Sequence, residues 1–229
     1  MIRHDWELQV SVDQVLRGQG ADPEAVRRRR PALVEAAEWA LGAGQPLLRP
    51  AVLLEELVVE ELRHERLSLA GGGRLQGALI GQHMGGAERV AVMVCTLGGL
   101  LEKAVSEWME RDPLRGLALN GFGAAALEVL SAEVCLELEG KAAAEGLKTS
   151  VPLSPGMIGW PVEKGQRQIF ALLPAQEIGV SLTSACMMKP RFSITQVVGI
   201  GKEISASGRS CDYCSLKETC KYQSHYAPV

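Results

Sequence analysis

The chain has 229 residues and a mass of 24.6 kDa, with 47% apolar, 22% charged and 4% aromatic residues and a formal net charge of -3. This composition belongs to a folded protein; it offers no basic field for nucleic acid and few aromatic platforms for stacked bases. No run of about 18 uninterrupted apolar residues occurs, and the first residues lack the apolar core of a signal peptide. A cytoplasmic chain without a membrane span is expected, and its six cysteines read as metal or redox ligands before disulfides.

In chain order, residues 6–10 alternate apolar and polar as a half-buried strand does. Ser11 and Gln14 form a capping box for a short helix through Leu16, which Gly18 and Gly20 end. Asp22-Pro23-Glu24 starts another helix. The cations Arg27 to Arg30 lie among Glu24, Glu35 and Glu38, so they read as a solvated face. Pro31 kinks that helix or begins a new one over 32–42. Residues 51–69 carry apolar positions that suit either strand or helix. After the turn Gly71-Gly72-Gly73, residues 74–85 read as a helix, and 89–96 as a strand buried on both faces.

Gly98 and Gly99 lead into a helix at 99–111, but their spacing is neither the dinucleotide nor the P-loop pattern, so phosphate binding is not expected. Asp112-Pro113 caps the longest element, 113–145, roughly 48 Å if straight. Gly121, Gly123 and Ala124 to Ala126 strip its apolar stripe of bulk, which suits close packing or a flat ligand. Glu128 and Glu133 on the same helix are an acid pair or plain surface.

Beyond Gly146 come the rigid loop 152–156, a helix over 162–173, and strands over 178–183 and 192–200, with 186–190 as their connection because proline cannot sit in a central strand. Helices followed by antiparallel pairing predict an α+β protein, helices packed on a twisted antiparallel sheet. Three segments are expected: an N-terminal region 1–90 packing on the rest, a core 91–205 and a cysteine-rich tail 206–229. No Gly-x-Ser-x-Gly elbow or nucleophile–base pair supports a protease.

The strongest chemical signal is Cys211-Asp212-Tyr213-Cys214 followed by Cys220. A two-residue gap lets two thiolates of one turn reach the same ion, and soft thiolates suit zinc or an iron–sulfur cluster. Cys186, on a loop flanked by polar residues, is the best fourth ligand, with His225 a weaker alternative. Cys95 and Cys135 stand in apolar contexts and read as core. His4, His64 and His83 read as ordinary surface or core histidines.

Several stretches carry a family resemblance in order: Val-Cys-Thr-Leu-Gly-Gly-Leu-Leu-Glu at 94–102, Leu-Asn-Gly-Phe-Gly-Ala-Ala-Ala-Leu-Glu at 119–128, Leu-Ser-Pro-Gly-Met-Ile-Gly-Trp-Pro at 153–161, and Ile-Gly-Val-Ser-Leu-Thr-Ser-Ala-Cys-Met-Met-Lys-Pro at 178–190, with Ser193 after it. Residues 90–220 resemble the activation (reactivation) domain of cobalamin-dependent methionine synthase, and more closely the stand-alone activation-domain-like proteins of anaerobic bacteria with cysteine-rich tails. The resemblance implies a C-shaped α+β domain that docks on a corrinoid (cobalamin-binding) protein or methyltransferase and assists reductive reactivation of cobalt(II). It implies S-adenosylmethionine binding at a loop of pattern Arg-x-x-x-Gly-Tyr. Here Ser154, Pro155 and Gly156 keep the turn, while Pro152 stands in place of the arginine that grips the ligand's carboxylate and Met157 in place of the tyrosine. Glu128 falls near an acidic position of the family's long helix and becomes a ligand-facing candidate. Three functions follow: a reductive activation partner relaying an electron through a cysteine-ligated iron–sulfur cluster, a non-catalytic corrinoid-binding module with structural zinc, or an S-adenosylmethionine site that remethylates a corrinoid.

Overall fold

The computed structural model describes residues 1–205, 210–213 and 218, with only the backbone described at Ser210 and Cys211. In chain order it runs β1 (Ile2–Arg3), α1 (Val12–Gly18), α2 (Pro23–Arg29), α3 (Pro31–Gly44), β2 (Ala51–Arg63), β3 (Arg66–Leu69), β4 (Arg74–Gln76) and α4 (Ala78–His83). Then come β5 (Arg89–Thr96), α5 (Leu100–Arg111), α6 (Pro113–Ala144), β6 (Lys148–Thr149), α7 (Val162–Leu172), β7 (Ser181–Leu182), β8 (Met188–Lys189) and β9 (Ser193–Gly201). A 3-10 turn, Ser210–Tyr213, follows. The class is α+β.

Among the described residues one antiparallel sheet runs in the order β4-β3-β2-β5-β9-β6, with β1 pairing the start of β2. The long β2 pairs β1 at one end and β3 at the other, bulging between Val59 and Glu61 where the second pairing begins. β5 and β9 are its centre, paired from Arg89↔Ile200 to Thr96↔Ser193. Alternate side chains of the sheet enter two cores. Ala91, Met93, Cys95, Val198 and Ile200 face the helical layer of α1, α3, α5 and α6. Val90, Val92, Val94 and Val197 face Leu153, Trp160 and Ile169 on the other side. Both faces of β5 are covered, which explains its uninterrupted apolar run. Residues from 1–90 and from 91–205 enter both cores.

The glycines of α6 serve packing. A Cβ on Gly121 would lie 2.6 Å from the Val15 carbonyl oxygen, and one on Gly123 would lie 2.4 Å from the Phe192 ring. The backbones of α1 and α6 therefore meet, and no flat ligand is needed to account for the small residues. α6, 32 residues long, is the one helix among the described residues long and apolar enough to cross a membrane; its buried face packs in the helical core.

Several expectations need correction. Residues 6–10 form no strand; the N-terminal strand is Ile2–Arg3, and the Leu8 carbonyl accepts instead from Gln45 Nε2 at 3.1 Å. The segment 51–69 is a hairpin. The helix expected over 74–85 is a short strand and a short helix split at Gly77, where a Cβ would meet the Trp160 ring at 2.8 Å and the Gly159 carbonyl oxygen at 2.9 Å. Over 178–183 only Ser181–Leu182 is strand, because a 3-10 turn, Ala175–Ile178, ends on left-handed Gly179. Two readings hold: Pro31 begins a separate helix, one of its two expected roles, and Arg27 to Arg30 are exposed, with Arg27 pairing with Asp13 of α1.

Candidate functional site: the loop 152–161 and the tail turn

The loop that carries Ser154, Pro155 and Gly156 is anchored at both ends. Leu153 exchanges backbone hydrogen bonds with Val197 of β9, each 2.9 Å. At the far end Trp160 is fully buried, and its indole Nε1–H donates to Gln168 Oε1 on α7 at 3.1 Å. Between these anchors the chain turns on itself: Met157 N–H donates to the Ser154 carbonyl at 3.2 Å, and Gly156 N–H to the Trp160 carbonyl at 2.7 Å. Gly156 has φ +102°, a conformation a side chain resists. Gly165 of α7 lets Pro155 approach, since a Cβ there would lie 2.7 Å from the proline ring. The turn expected around Gly156 is present, with Ser154, Pro155 and Gly156 half-buried.

The tail meets this loop. Ile158 N–H donates to the Tyr213 carbonyl at 2.9 Å. The Tyr213 ring packs edge-on against His83 at the end of α4, with centroids 4.3 Å apart and planes at 74°. His83 is 7% exposed, and its Nε2 has no hydrogen-bond partner among the described residues. Burial lowers its pKa. In the sequence Tyr213 lies between Cys211 and Cys214. The side chain of Cys211, together with Cys214 and Cys220, lies outside the described residues, as does His225.

The other candidates fall elsewhere. Cys186 is 2% exposed in the turn between β7 and β8, at φ +58°, with its N–H donated to the Thr183 carbonyl at 2.9 Å. The polar neighbours in its sequence do not leave it at the surface. Among the described residues no group of three or more His, Cys, Asp or Glu is placed to hold a metal. Cys95 is buried in β5, and burial pushes its thiol far above the ordinary range, with Cys135 adding to the effect. Burial also pushes the Cys135 thiol up to about 12, helped by Glu139. Cys95 is a core thiol, as expected, and Cys135 is a partly buried one packed against the same core. Glu128 stands half-buried on α6, in the helical layer, whereas the loop lies on the opposite side of β9. The carboxyl of Glu133 is raised by partial burial and then by Glu137.

β9 joins the two layers through adjacent polar residues. Ser131 Oγ–H of α6 donates to Gln196 Oε1 at 2.7 Å, and Thr195 Oγ1–H donates to Gln166 Oε1 of α7 at 3.0 Å. None of these four side chains was singled out in the sequence reading. His83 was set aside as well; its place on the apolar side of α4 beside Leu79 and Ile80 was the available signal of burial.

No protein-family model matches the chain, and no curated protein matches it. A solved structure does: the crystal structure of the MetH reactivation domain bound to AdoHcy is 13% identical, with a TM-score of 0.62 over 93% of this chain and 83% of that one. Identity this low speaks for the fold alone. This chain has the fold of the MetH reactivation domain.

Proposed function

We propose that the protein is the activation partner of a corrinoid protein and assists the one-electron return of an inactive cobalt(II) corrinoid to cobalt(I). The observation that carries this reading is the fold likeness to a reactivation domain across nearly the whole chain, joined to the ordered motifs that resemble the methionine synthase activation domain. The terminal cysteines, Cys211, Cys214 and Cys220, are read as ligands of a metal group, with Cys186 the fourth ligand that sequence reading favours. An iron–sulfur cluster there would supply electrons at the low potential that cobalt(II) reduction requires, whereas zinc would only hold the tail. The Ile158–Tyr213 backbone hydrogen bond supports this reading, because it brings the described turn of the tail to the loop that the family resemblance assigns to the ligand. The protein works on a second polypeptide in the cytoplasm.

The test uses anaerobically purified full-length protein and a purified corrinoid methyl-carrier protein in the cobalt(II) state, with titanium(III) citrate as the one-electron donor. The cobalt(I) absorption should grow several-fold faster when the protein is present in stoichiometric amount. An unchanged rate would refute the role. Iron and sulfide in the purified protein would support the relay; one zinc without iron would remove the relay and leave a structural site.

A further inference from the structure

We infer that the cavity between the glycine turn 71–73 and α7 binds a small organic phosphate, with the phosphoryl group held by Arg74 and Arg167 and the carbon part lying on Leu57 and Leu172. The inference goes beyond the corrinoid reading and does not depend on it. The cavity has a volume of about 520 Å³. One wall is a face of α7, where Arg167 and Ala171, and beside them Gln168 and Leu172, follow at four-residue spacing. The rest is Leu57 of β2 and the turn that joins β3 to β4. That turn leaves the space open. Gly71 and Gly72 have φ +80° and +82°, and a Cβ at either would meet no heavy atom within 4 Å. Gly73 lets the turn approach α7, since a Cβ there would lie 2.5 Å from Leu172 Cδ2.

Charge identifies the ligand. The chain carries a formal net charge of -3, yet among the described residues the cavity walls hold two arginines and no carboxylate. Elsewhere Arg3, Arg27, Arg63, Arg89 and Arg115 are each matched with an acidic side chain. Arg74 and Arg167 make no ion pair or side-chain hydrogen bond among the described residues. A smaller depression of about 290 Å³ shares Gly72, Gly73 and Arg74 with the cavity and adds Arg66 and Glu60, one charge of each sign, so the positive surplus stays. The planar fork of a guanidinium matches two phosphate oxygens at once. Leu57, Ala171 and Leu172 add an apolar surface that a bare phosphate ion cannot use. Gln168 lines the cavity while its Oε1 accepts from the Trp160 indole, so an occupant rests against the residue that anchors the loop 152–161.

Phenyl phosphate is the probe, with inorganic phosphate and phenol as its separate halves. Binding to the full-length protein is read by ligand-observed nuclear magnetic resonance at low salt, where exposed charges are least screened. Phenyl phosphate should bind saturably in the millimolar range or tighter, and each half several-fold more weakly. Arg74→Gln and Arg167→Gln should each weaken binding roughly tenfold, as loss of a charge-assisted hydrogen bond does. Ala171→Glu, which puts a carboxylate on the wall at an exposed helix position, should abolish it. Arg28→Gln, on α2, should match the wild type, and far-ultraviolet circular dichroism confirms that the variants fold. No saturable binding of phenyl phosphate to the wild type, or wild-type affinity in Arg74→Gln, Arg167→Gln and Ala171→Glu, would overturn the site. Inorganic phosphate binding as tightly as phenyl phosphate would overturn the assignment to an organic ligand.

Discussion

The Gln168 side-chain oxygen accepts the Trp160 indole N–H at 3.1 Å and, from the other side, the backbone N–H of Gln76 at 3.1 Å. One amide thus joins the end of the 152–161 loop to the edge strand β4. Gln168→Leu removes both bonds and leaves the Trp160 and Gln76 donors unsatisfied, which costs about 1–3 kcal/mol. The expected result is a lower urea midpoint with altered tryptophan emission. An unchanged midpoint would show that the loop does not depend on this amide.

α6 provides an internally controlled pair of substitutions. A Cβ at Gly140 meets nothing within 4 Å, so Gly140→Ala should stabilise the protein by about 0.5–1 kcal/mol through helix propensity. At Gly121 the same methyl group would press on the backbone of α1, and Gly121→Ala should destabilise by about 1–3 kcal/mol. Both are read by chemical denaturation, and opposite signs within one helix are the decisive outcome.

Asp112 caps α6, its Oδ1 accepting from the N–H groups of Leu114 and Arg115 at 3.1 and 3.2 Å. Asp112→Ala should lower stability by about 1 kcal/mol, and Asp112→Asn or Asp112→Ser should recover most of it. A loss that neither variant recovers would point to the charge rather than the cap.

The buried thiols set an alkaline limit. Cys95 and Cys135 have raised pKa values in the folded state, so their contribution to stability is whole below the unfolded thiol value of about 8.5. It is lost as pH rises above that value, because the unfolded chain then releases protons that the folded chain keeps. Each thiol should add about 1.4 kcal/mol per pH unit to the fall in unfolding free energy between pH 9 and 11. Cys95→Ala and Cys135→Ala should each flatten the slope by that amount, whatever they do to stability at pH 7. An unchanged slope would mean that the thiols are reachable by solvent.

Titration with S-adenosylmethionine is the fifth test. Pro152 and Met157 replace the arginine and tyrosine of the resembled loop, and Ile158 N–H is already taken by Tyr213. A missing charge-assisted grip is worth about 1.5–3 kcal/mol, or roughly 10- to 150-fold in affinity. Calorimetry at millimolar ligand should therefore give no saturable heat, and a micromolar isotherm would contradict this.

The elements that sequence reading placed well were those with strong local punctuation. Asp112-Pro113 marked α6, Ser11 and Gln14 marked α1, and the apolar run of β5 betrayed a strand covered on both faces. Where it failed, the cause was non-local. β2 could not be told from a helix because Ala51 to Leu54 are all buried while the residues beyond them are mostly exposed, which hides the period-two pattern. The helix expected over 74–85 breaks at Gly77 for the sake of Trp160, more than 80 residues later. The loop glycine was legible because its turn is local. The meeting of His83 with Tyr213 was not, since nothing in the spacing of one announces the other.

The adjacent residues Thr195 and Gln196 each grip a different layer of the molecule. Shear between those layers would tear a buried polar bond on one side of the strand or the other. Losing either bond would therefore loosen one layer from β9 while leaving the other attached.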